Sequence, residues 1–129
     1  DGADGSCFDV FYSRWLEAAG ARVIGIPYTA NETELAVFLG SLNGILFTGG
    51  GLSLGLHTRY YETARRLYDG ALERQVPLWG TCMGFQLLCI LGAGDDESVL
   101  EHNAFDAEDL SLALQPSAEW ADSAFVAAL

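Results

Sequence analysis

The chain has 129 residues, and its 6 Lys and Arg stand against 18 Asp and Glu, so its formal net charge is −12. This length predicts one domain over residues 1–129, and 50% hydrophobic residues with a mean hydropathy of +0.21 exclude a disordered chain. A body of this charge repels phosphate, which argues against nucleic acid and against a membrane surface as partners. Three cysteines and two histidines show no metal-ligand spacing, so no cofactor is expected.

The hydrophobic pattern alternates between helical and strand-like segments as far as Gly94. Helices are predicted over residues 8–19, 31–39, 58–74 and 83–91, and short buried strands over residues 22–26, 44–48 and 76–79. Apolar strands joined by helical crossovers predict an α/β fold with a mostly parallel sheet covered on both faces. Such a sheet normally opens with a strand, whereas this pattern opens with a helix, so a leading strand is expected to be missing.

Two further stretches need interpretation. Residues 76–94 carry no charge, but Pro77 and four glycines argue against one membrane-spanning helix and favour a strand, a turn and a helix. Beyond Gly94, acidic residues dilute the apolar signal, and the pattern predicts only a strand over 110–114 and a helix over 119–129. No targeting segment is recognised in this chain.

The strongest chemical signal is Trp-Gly-Thr-Cys-Met-Gly-Phe-Gln at residues 79–86. Gly-x-Cys-x-Gly between a strand and a helix is the pattern of a nucleophile elbow, with sulfur in place of oxygen. The glycines relieve crowding at a sharp turn, and the amino end of the helix offers N–H groups and partial positive charge to a thiolate. The Met83 N–H would face the oxyanion that forms when Cys82 adds to a carbonyl. The alternative is that Cys82 is a small buried residue on a tight turn.

Gly49, Gly50 and Gly51 follow the second predicted strand. Because neighbouring parallel strands share one crevice at their carboxyl ends, this loop is expected to face Cys82. Its backbone N–H groups could complete an oxyanion hole or hold a substrate carboxylate. A plain turn remains an alternative, while the spacing matches neither a dinucleotide loop nor a phosphate loop.

Three segments resemble the class I glutamine amidotransferase-like fold and, within it, the gamma-glutamyl hydrolases. They are Trp-Leu-Glu-Ala-Ala-Gly-Ala-Arg-Val at 15–23, Asn-Gly-Ile-Leu-Phe-Thr-Gly-Gly at 43–50, and Val-Pro-Leu-Trp-Gly-Thr-Cys-Met-Gly-Phe-Gln-Leu-Leu at 76–88, in the family's order. Gly-Thr-Cys-x-Gly-Phe is fairly specific for gamma-glutamyl hydrolases. The resemblance implies a flavodoxin-like three-layer sandwich and an omega peptidase that hydrolyses gamma-glutamyl bonds, with folylpoly-gamma-glutamates as the small-molecule substrate.

The resemblance also implies roles for six residues. These are the nucleophile Cys82, the backbone oxyanion donors Met83 and Gly50, and the substrate contacts Gly49, Gly51 and Gln86. Gln86 stands where gamma-glutamyl hydrolases often carry Glu, and it agrees with the Gln that many glutamine amidotransferases use to contact substrate. Cys89 is predicted to be a core residue, and Cys7 is given no role.

The catalytic histidine of the family, in a His-Pro-Glu context downstream of the nucleophile, has no counterpart in these 129 residues. His102 has neither the neighbours nor the position, and His57, just after the glycine loop, is interpreted as a surface residue. The chain is therefore interpreted as an internal piece of a larger enzyme, incomplete at both ends and inactive alone.

Two other functions remain open: a glutaminase subunit that delivers ammonia to a synthase partner, and a non-catalytic remnant of the fold. A homodimer is also left open. The resemblance implies a vacuolar, lysosomal or extracellular location.

Overall fold

The computed structural model describes residues 7–106, 109–113 and 115–123. Within these residues the regular elements are α1 (Val10–Ala18), α2 (Glu32–Ser41), β1 (Ile45–Phe47), α3 (Arg59–Arg74), β2 (Leu78–Gly80) and α4 (Met83–Gly92), followed by short 3₁₀ turns at Glu97–Val99 and Trp120–Asp122. The two strands are parallel, with Ile45 opposite Leu78 and Phe47 opposite Gly80. The described part is therefore α/β in character, with helices around a small parallel sheet.

Local side-chain chemistry explains where two of the helices begin. The Asn31 side chain accepts the Glu34 N–H at 3.0 Å, and the Glu34 carboxylate accepts the Asn31 N–H at 2.8 Å, which together form a capping box for α2. Thr58 caps α3 by accepting the Tyr61 N–H at 3.2 Å. These helices lie where the sequence pattern predicts them.

The hydrophobic core lies between the sheet and the helices α3 and α4. Leu87 and Ile90 of α4 are almost completely buried, against Leu67 of α3 and Phe47 of β1, members of the same cluster. Burying a Leu or Ile side chain stabilises a fold by about 1.5–3 kcal/mol. The packing of α4 on the sheet therefore fixes the turn between β2 and α4.

A polar contact holds the far end of α4. The Tyr61 hydroxyl on α3 donates to the Asp95 carboxylate at 2.5 Å, and Arg65 donates to the same carboxylate. These hydrogen bonds, that from Tyr61 first, lower the pKa of Asp95. Burial, followed by the hydrogen bond to Asp95, raises the pKa of Tyr61 above its ordinary value. The carboxylate and the phenol therefore stay in the forms that make this contact over the neutral range.

The strand predicted over residues 22–26 is not present as a strand. A groove of about 1210 Å³ lies beside this segment, and its walls include Val23, Ile26, Leu46 and Tyr12. A strand is defined by hydrogen bonds to a neighbour, and this segment is separated by the groove from β1. The β-branched residues of this segment predict a strand, but no partner strand lies alongside it within the described residues.

The two predictions beyond Gly94 also differ from the structure. Residues 110–113 form no strand, and residue 114 lies outside the described residues. Of the predicted helix over 119–129, the described part holds only the 3₁₀ turn at Trp120–Asp122, and residues 124–129 lie outside it. The apolar side chains Leu110 and Leu112 are exposed, so among the described residues nothing packs on this segment to stabilise a regular element. Among the described residues, no helix is both long and apolar enough to cross a membrane.

Candidate active site

Cys82 occupies the turn between β2 and α4. It lies two residues after the end of the strand, is the N-cap of the helix, and has φ 54° and ψ −115°. Positive φ is uncommon for a residue with a side chain and costs about 1–3 kcal/mol. The side chain is exposed and makes no capping hydrogen bond to the helix. This geometry leaves the sulfur accessible on a strained backbone, as a nucleophile elbow requires.

The two glycines that flank Cys82 allow the helix to approach the sheet closely. A Cβ on Gly80 would lie 2.5 Å from the Gly84 carbonyl oxygen, and a Cβ on Gly84 would lie 2.5 Å from the Phe47 carbonyl carbon. Real Cβ atoms do not come this close to backbone, so a side chain at either position would force the backbone to move. The pattern Gly-x-Cys-x-Gly is therefore required by packing here, apart from any role in chemistry.

The glycine loop after β1 lies beside Cys82, as the parallel topology led us to expect. A Cβ on Gly49 would be 3.4 Å from the Cβ of Cys82, and one on Gly50 would be 3.0 Å from the terminal methyl of Met83. The Thr81 N–H donates to the Phe47 carbonyl at 3.0 Å and ties the two strand ends together. Gly51 lies further out, with open space where its Cβ would be.

Two backbone N–H groups near the sulfur have no acceptor within the described part of the chain. They belong to Met83, the first residue of α4, and to Gly50, whereas the next N–H groups of the turn, those of Gly84 and Gln86, bond to Thr81 and Cys82 carbonyls. Unpaired N–H groups at a helix start are suited to holding a negatively charged oxygen. Gln86 is exposed one helical turn after Cys82.

Tyr12 is a residue of the site that the sequence analysis missed. The Gly49 N–H donates to its hydroxyl oxygen at 2.9 Å, across 37 positions of the sequence. Trp15, one turn further along α1, contacts Trp79 of β2 with ring centroids 5.9 Å apart. The only available signal was that Tyr12 and Trp15 share one face of a predicted helix, which predicts packing but not this partner.

The remaining candidates lie apart from this arrangement. His57 and His102 are exposed in turns, and in the described residues neither is hydrogen-bonded to Cys82. Cys89 is half-buried on α4, and Cys7 is exposed. No group of three or more Cys, His, Asp or Glu side chains in the described ranges is placed to hold a metal ion. Among the described residues, the candidate site therefore comprises Cys82, the backbone N–H groups of Met83 and Gly50, and the side chains of Gln86 and Tyr12.

An exposed cysteine at a strand-to-helix turn of an α/β fold has the geometry that is typical of a nucleophile elbow. Gamma-glutamyl hydrolase 1 of Arabidopsis thaliana is 37% identical over 109 residues, 81% of this chain and 30% of that protein. The gamma-glutamyl hydrolases of Rattus norvegicus and Homo sapiens are 36% and 35% identical over 66% and 65% of the chain, which spans 28% of each.

Over the part that aligns, the chain belongs to the gamma-glutamyl hydrolase family. It spans about 30% of the length of the curated relatives it matches. No family model and no solved structure matches the chain.

Proposed function

We propose that this chain carries the nucleophile-bearing part of a gamma-glutamyl hydrolase, which cleaves gamma-glutamyl bonds through a thioester on Cys82. The observation that carries the proposal is the exposed Cys82 at φ 54°, beside the glycine loop, in a chain of this family. The proposed substrates are folylpoly-gamma-glutamates, and the enzyme is an omega peptidase. We place it in a vacuole or lysosome or outside the cell, which immunolabelling of the natural protein tests.

The proposed reaction has two steps. The Cys82 thiolate forms a bond to the gamma-carbonyl carbon, and the carbonyl π electrons move to oxygen, where the Met83 and Gly50 N–H groups hold the charge. The C–N bond then breaks, and the amine of the glutamate tail leaves with a proton. Water hydrolyses the thioester in the second step and releases the gamma-carboxylate.

Both steps need a group that gives and takes a proton, and this group sets the expected rate. His57 and His102 are followed two positions later by Arg and Ala, so neither belongs to a His-x-Glu pair. General acid–base catalysis contributes about 10²–10⁴-fold. We therefore expect the 129-residue chain to be acylated slowly and to turn over poorly.

The test is mass spectrometry of the chain after incubation with pteroyltri-gamma-glutamate, which detects an acyl adduct and locates it. We expect an adduct on Cys82 that is absent from Cys82→Ser and retained by Cys89→Ala, which removes a thiol of the same helix. An unmodified Cys82 under conditions in which a relative such as gamma-glutamyl hydrolase 1 of Arabidopsis thaliana cleaves the substrate would overturn the proposal. So would ordinary enzyme turnover by Cys82→Ser.

A glutaminase is the second candidate, because Gln86 is exposed one turn after Cys82 and matches the residue type of glutamine amidotransferases. The same experiment with L-glutamine distinguishes the two. Faster acylation of Cys82 by glutamine than by the gamma-glutamyl peptide would favour an ammonia-delivering subunit. The non-catalytic alternative is supported if neither compound acylates Cys82.

We also propose that the complete fold is a three-layer sandwich in which a further parallel strand fills the groove beside β1. Ile45 donates to the Pro77 carbonyl, and Phe47 accepts from Thr81. Because residues alternate their backbone groups between the two edges of a parallel strand, Leu46 directs its N–H and C=O to the opposite edge. Leu46 also lines the groove.

Hydrogen exchange tests this proposed strand. The Leu46 amide should exchange fast in the 129-residue chain and at least about 100-fold more slowly in the natural protein if a strand pairs with it. Equal exchange of Leu46 in both would overturn the sandwich. The Ile45 amide, already bonded to β2, is the internal control.

A further inference from the structure

Three consecutive glycines form a flexible segment, yet the loop beside Cys82 is held on both sides of Gly50. On one side, the Gly49 N–H donates to the Tyr12 hydroxyl at 2.9 Å. On the other, the Leu52 N–H donates to the sulfur of Met83 at 3.2 Å, and Met83 is buried at the start of α4. Glycine samples more backbone conformations than other residues, so these two contacts restrict where the Gly50 N–H points.

The contact between Tyr12 and Gly49 lies next to the cysteine. The point where a Cβ of Gly49 would sit is 2.7 Å from the Tyr12 hydroxyl oxygen and 3.4 Å from the Cys82 Cβ. Because Gly49 has no Cβ, the Tyr12 hydroxyl can lie this close to the loop. The hydroxyl accepts in this hydrogen bond, so its own proton is not used by the contact with Gly49.

Helix α1 has no buried residue, so its packing on the sheet depends on side chains that are half-buried or exposed. Tyr12 reaches the loop after β1, and Trp15 packs on Trp79, whose indole N–H donates to the Thr81 hydroxyl at 3.2 Å. One face of α1 thereby contacts both strand ends that surround the cysteine. These contacts of α1 hold the Cys82 turn and the glycine loop in place relative to each other.

We infer that Tyr12 is a positioning residue, which holds the Thr48–Gly49 peptide in place and thereby the start of the glycine loop, so that the next N–H, that of Gly50, can bind the oxyanion formed at Cys82. The inference rests on the proposed function and adds a residue to it. A Phe at position 12 keeps the ring and removes the acceptor of the Gly49 N–H. The loop then loses one of its two anchors, and the donor at Gly50 is held less well.

The test compares two reagents that use the same sulfur differently. N-acetyl-L-glutamate gamma-semialdehyde is attacked at its aldehyde carbon by the thiolate; a C–S bond forms, and the carbonyl π electrons give an oxyanion that takes a proton from water. Iodoacetamide is displaced at carbon with loss of iodide and forms no oxyanion. Only the first reagent depends on the backbone donors.

In the 129-residue chain, Tyr12→Phe should weaken aldehyde binding about tenfold, as expected for a misplaced oxyanion donor, and leave the iodoacetamide rate at Cys82 within about twofold. Gly49→Ala should have the same effect, since its Cβ would displace the hydroxyl, and the double variant should be no worse than either single one. Tyr68→Phe, which removes a hydroxyl from α3, is the control and should bind normally.

The outcomes separate this inference from the proposed function. If the wild-type aldehyde adduct forms on Cys82 and Tyr12→Phe binds equally well, the role of Tyr12 is wrong while the function stands. If the wild-type chain forms no adduct on Cys82, both the proposed function and the role of Tyr12 are wrong. Faster iodoacetamide labelling of Cys89 in Tyr12→Phe would show general loosening and overturn the positioning role.

Discussion

Gly84 and Phe47 are in such close contact that the first turn of α4 rests directly on the backbone of β1. The Cβ of any other residue at position 84 would lie 2.5 Å from the Phe47 carbonyl carbon and closer still to its oxygen. The same turn is hydrogen-bonded to the strand through Thr81 and the Phe47 carbonyl. The position of Cys82 over the sheet edge thus follows from backbone packing.

Gly84→Ala should destabilise the fold by about 2–3 kcal/mol, because overpacking against backbone cannot be relieved by a side-chain rotation. Urea unfolding followed by circular dichroism measures the loss. Gly92→Ala at the other end of α4 is the matched control, since its Cβ would meet only the Tyr68 hydroxyl at 3.7 Å. Ala is the better helix former, so Gly92→Ala should be neutral or slightly stabilising. Equal stability of the two variants would contradict the close contact.

If Cys82 is a catalytic nucleophile, iodoacetamide should label it at least about tenfold faster than Cys7, because a nucleophilic cysteine reacts faster than an ordinary exposed thiol. Both cysteines are exposed, so Cys7 controls for accessibility, while half-buried Cys89 should react slowest. Peptide mass spectrometry with a time course gives the three rates. A Cys82 rate no higher than that of Cys7 would favour the non-catalytic remnant.

The hydrogen bonds from Tyr61 and Arg65 lower the pKa of Asp95, which has a consequence for stability against pH. A carboxyl group with a lower pKa in the folded state stabilises the fold above its unfolded pKa of about 3.9. That contribution disappears as pH falls through the lower folded value. Asp95→Asn should therefore be less stable than wild type near pH 7, and the difference should shrink below about pH 4.

Thermal unfolding between pH 3 and pH 7 measures this effect. Asn suits the positive φ of 69° at position 95, so the substitution tests the charge and not the backbone. Glu73→Gln removes one exposed charge that has no ion pair within the described ranges, and it controls for net charge. A constant difference between Asp95→Asn and wild type over this range would show that the carboxylate contact does not contribute.

Asn31→Ala should cost about 1 kcal/mol, because the N–H of Glu34 loses its acceptor at the start of α2. Asn31→Gly should lower the stability by only a few tenths of a kcal/mol (~0.3 kcal/mol), since Gly is tolerated at an N-cap. Chemical denaturation of the three chains provides the comparison. If Asn31→Ala proves as stable as wild type, the Asn31 cap contributes nothing measurable.

Several parts of the fold could be predicted from sequence because they depend on neighbours along the chain. Asn31 and Glu34 of the capping box lie three positions apart, and the apolar residues of α3 repeat at helical spacing. Both features can therefore be recognised from a short stretch of sequence. The strand predicted over residues 22–26 is absent from the structure, because strand formation does not depend on neighbours along the chain alone. A branched extended segment becomes a strand only when a partner lies beside it.

The candidate site shows the same division. Gly80, Cys82 and Gly84 are contiguous in sequence, so the turn and its nucleophile could be proposed before any coordinates were known. Its neighbour Gly49 could be placed only through the rule that parallel strand ends share a crevice. Tyr12 had no such rule, because a side chain 37 positions from its partner leaves no mark in local pattern.

By itself, the sequence predicted the order of the helices, parallel strands over residues 44–48 and 76–79, and the strand-to-helix turn that carries Cys82. These features follow from hydrophobic period, glycine placement and capping residues, which act over a few positions. The second strand, Leu78–Gly80, is partly exposed and not buried as predicted. Only the tertiary structure decided that Gly49 meets Cys82 and that Tyr12 holds the Gly49 N–H. Such contacts are set by how α1 and the two strands pack together, and packing joins residues that the chain keeps far apart.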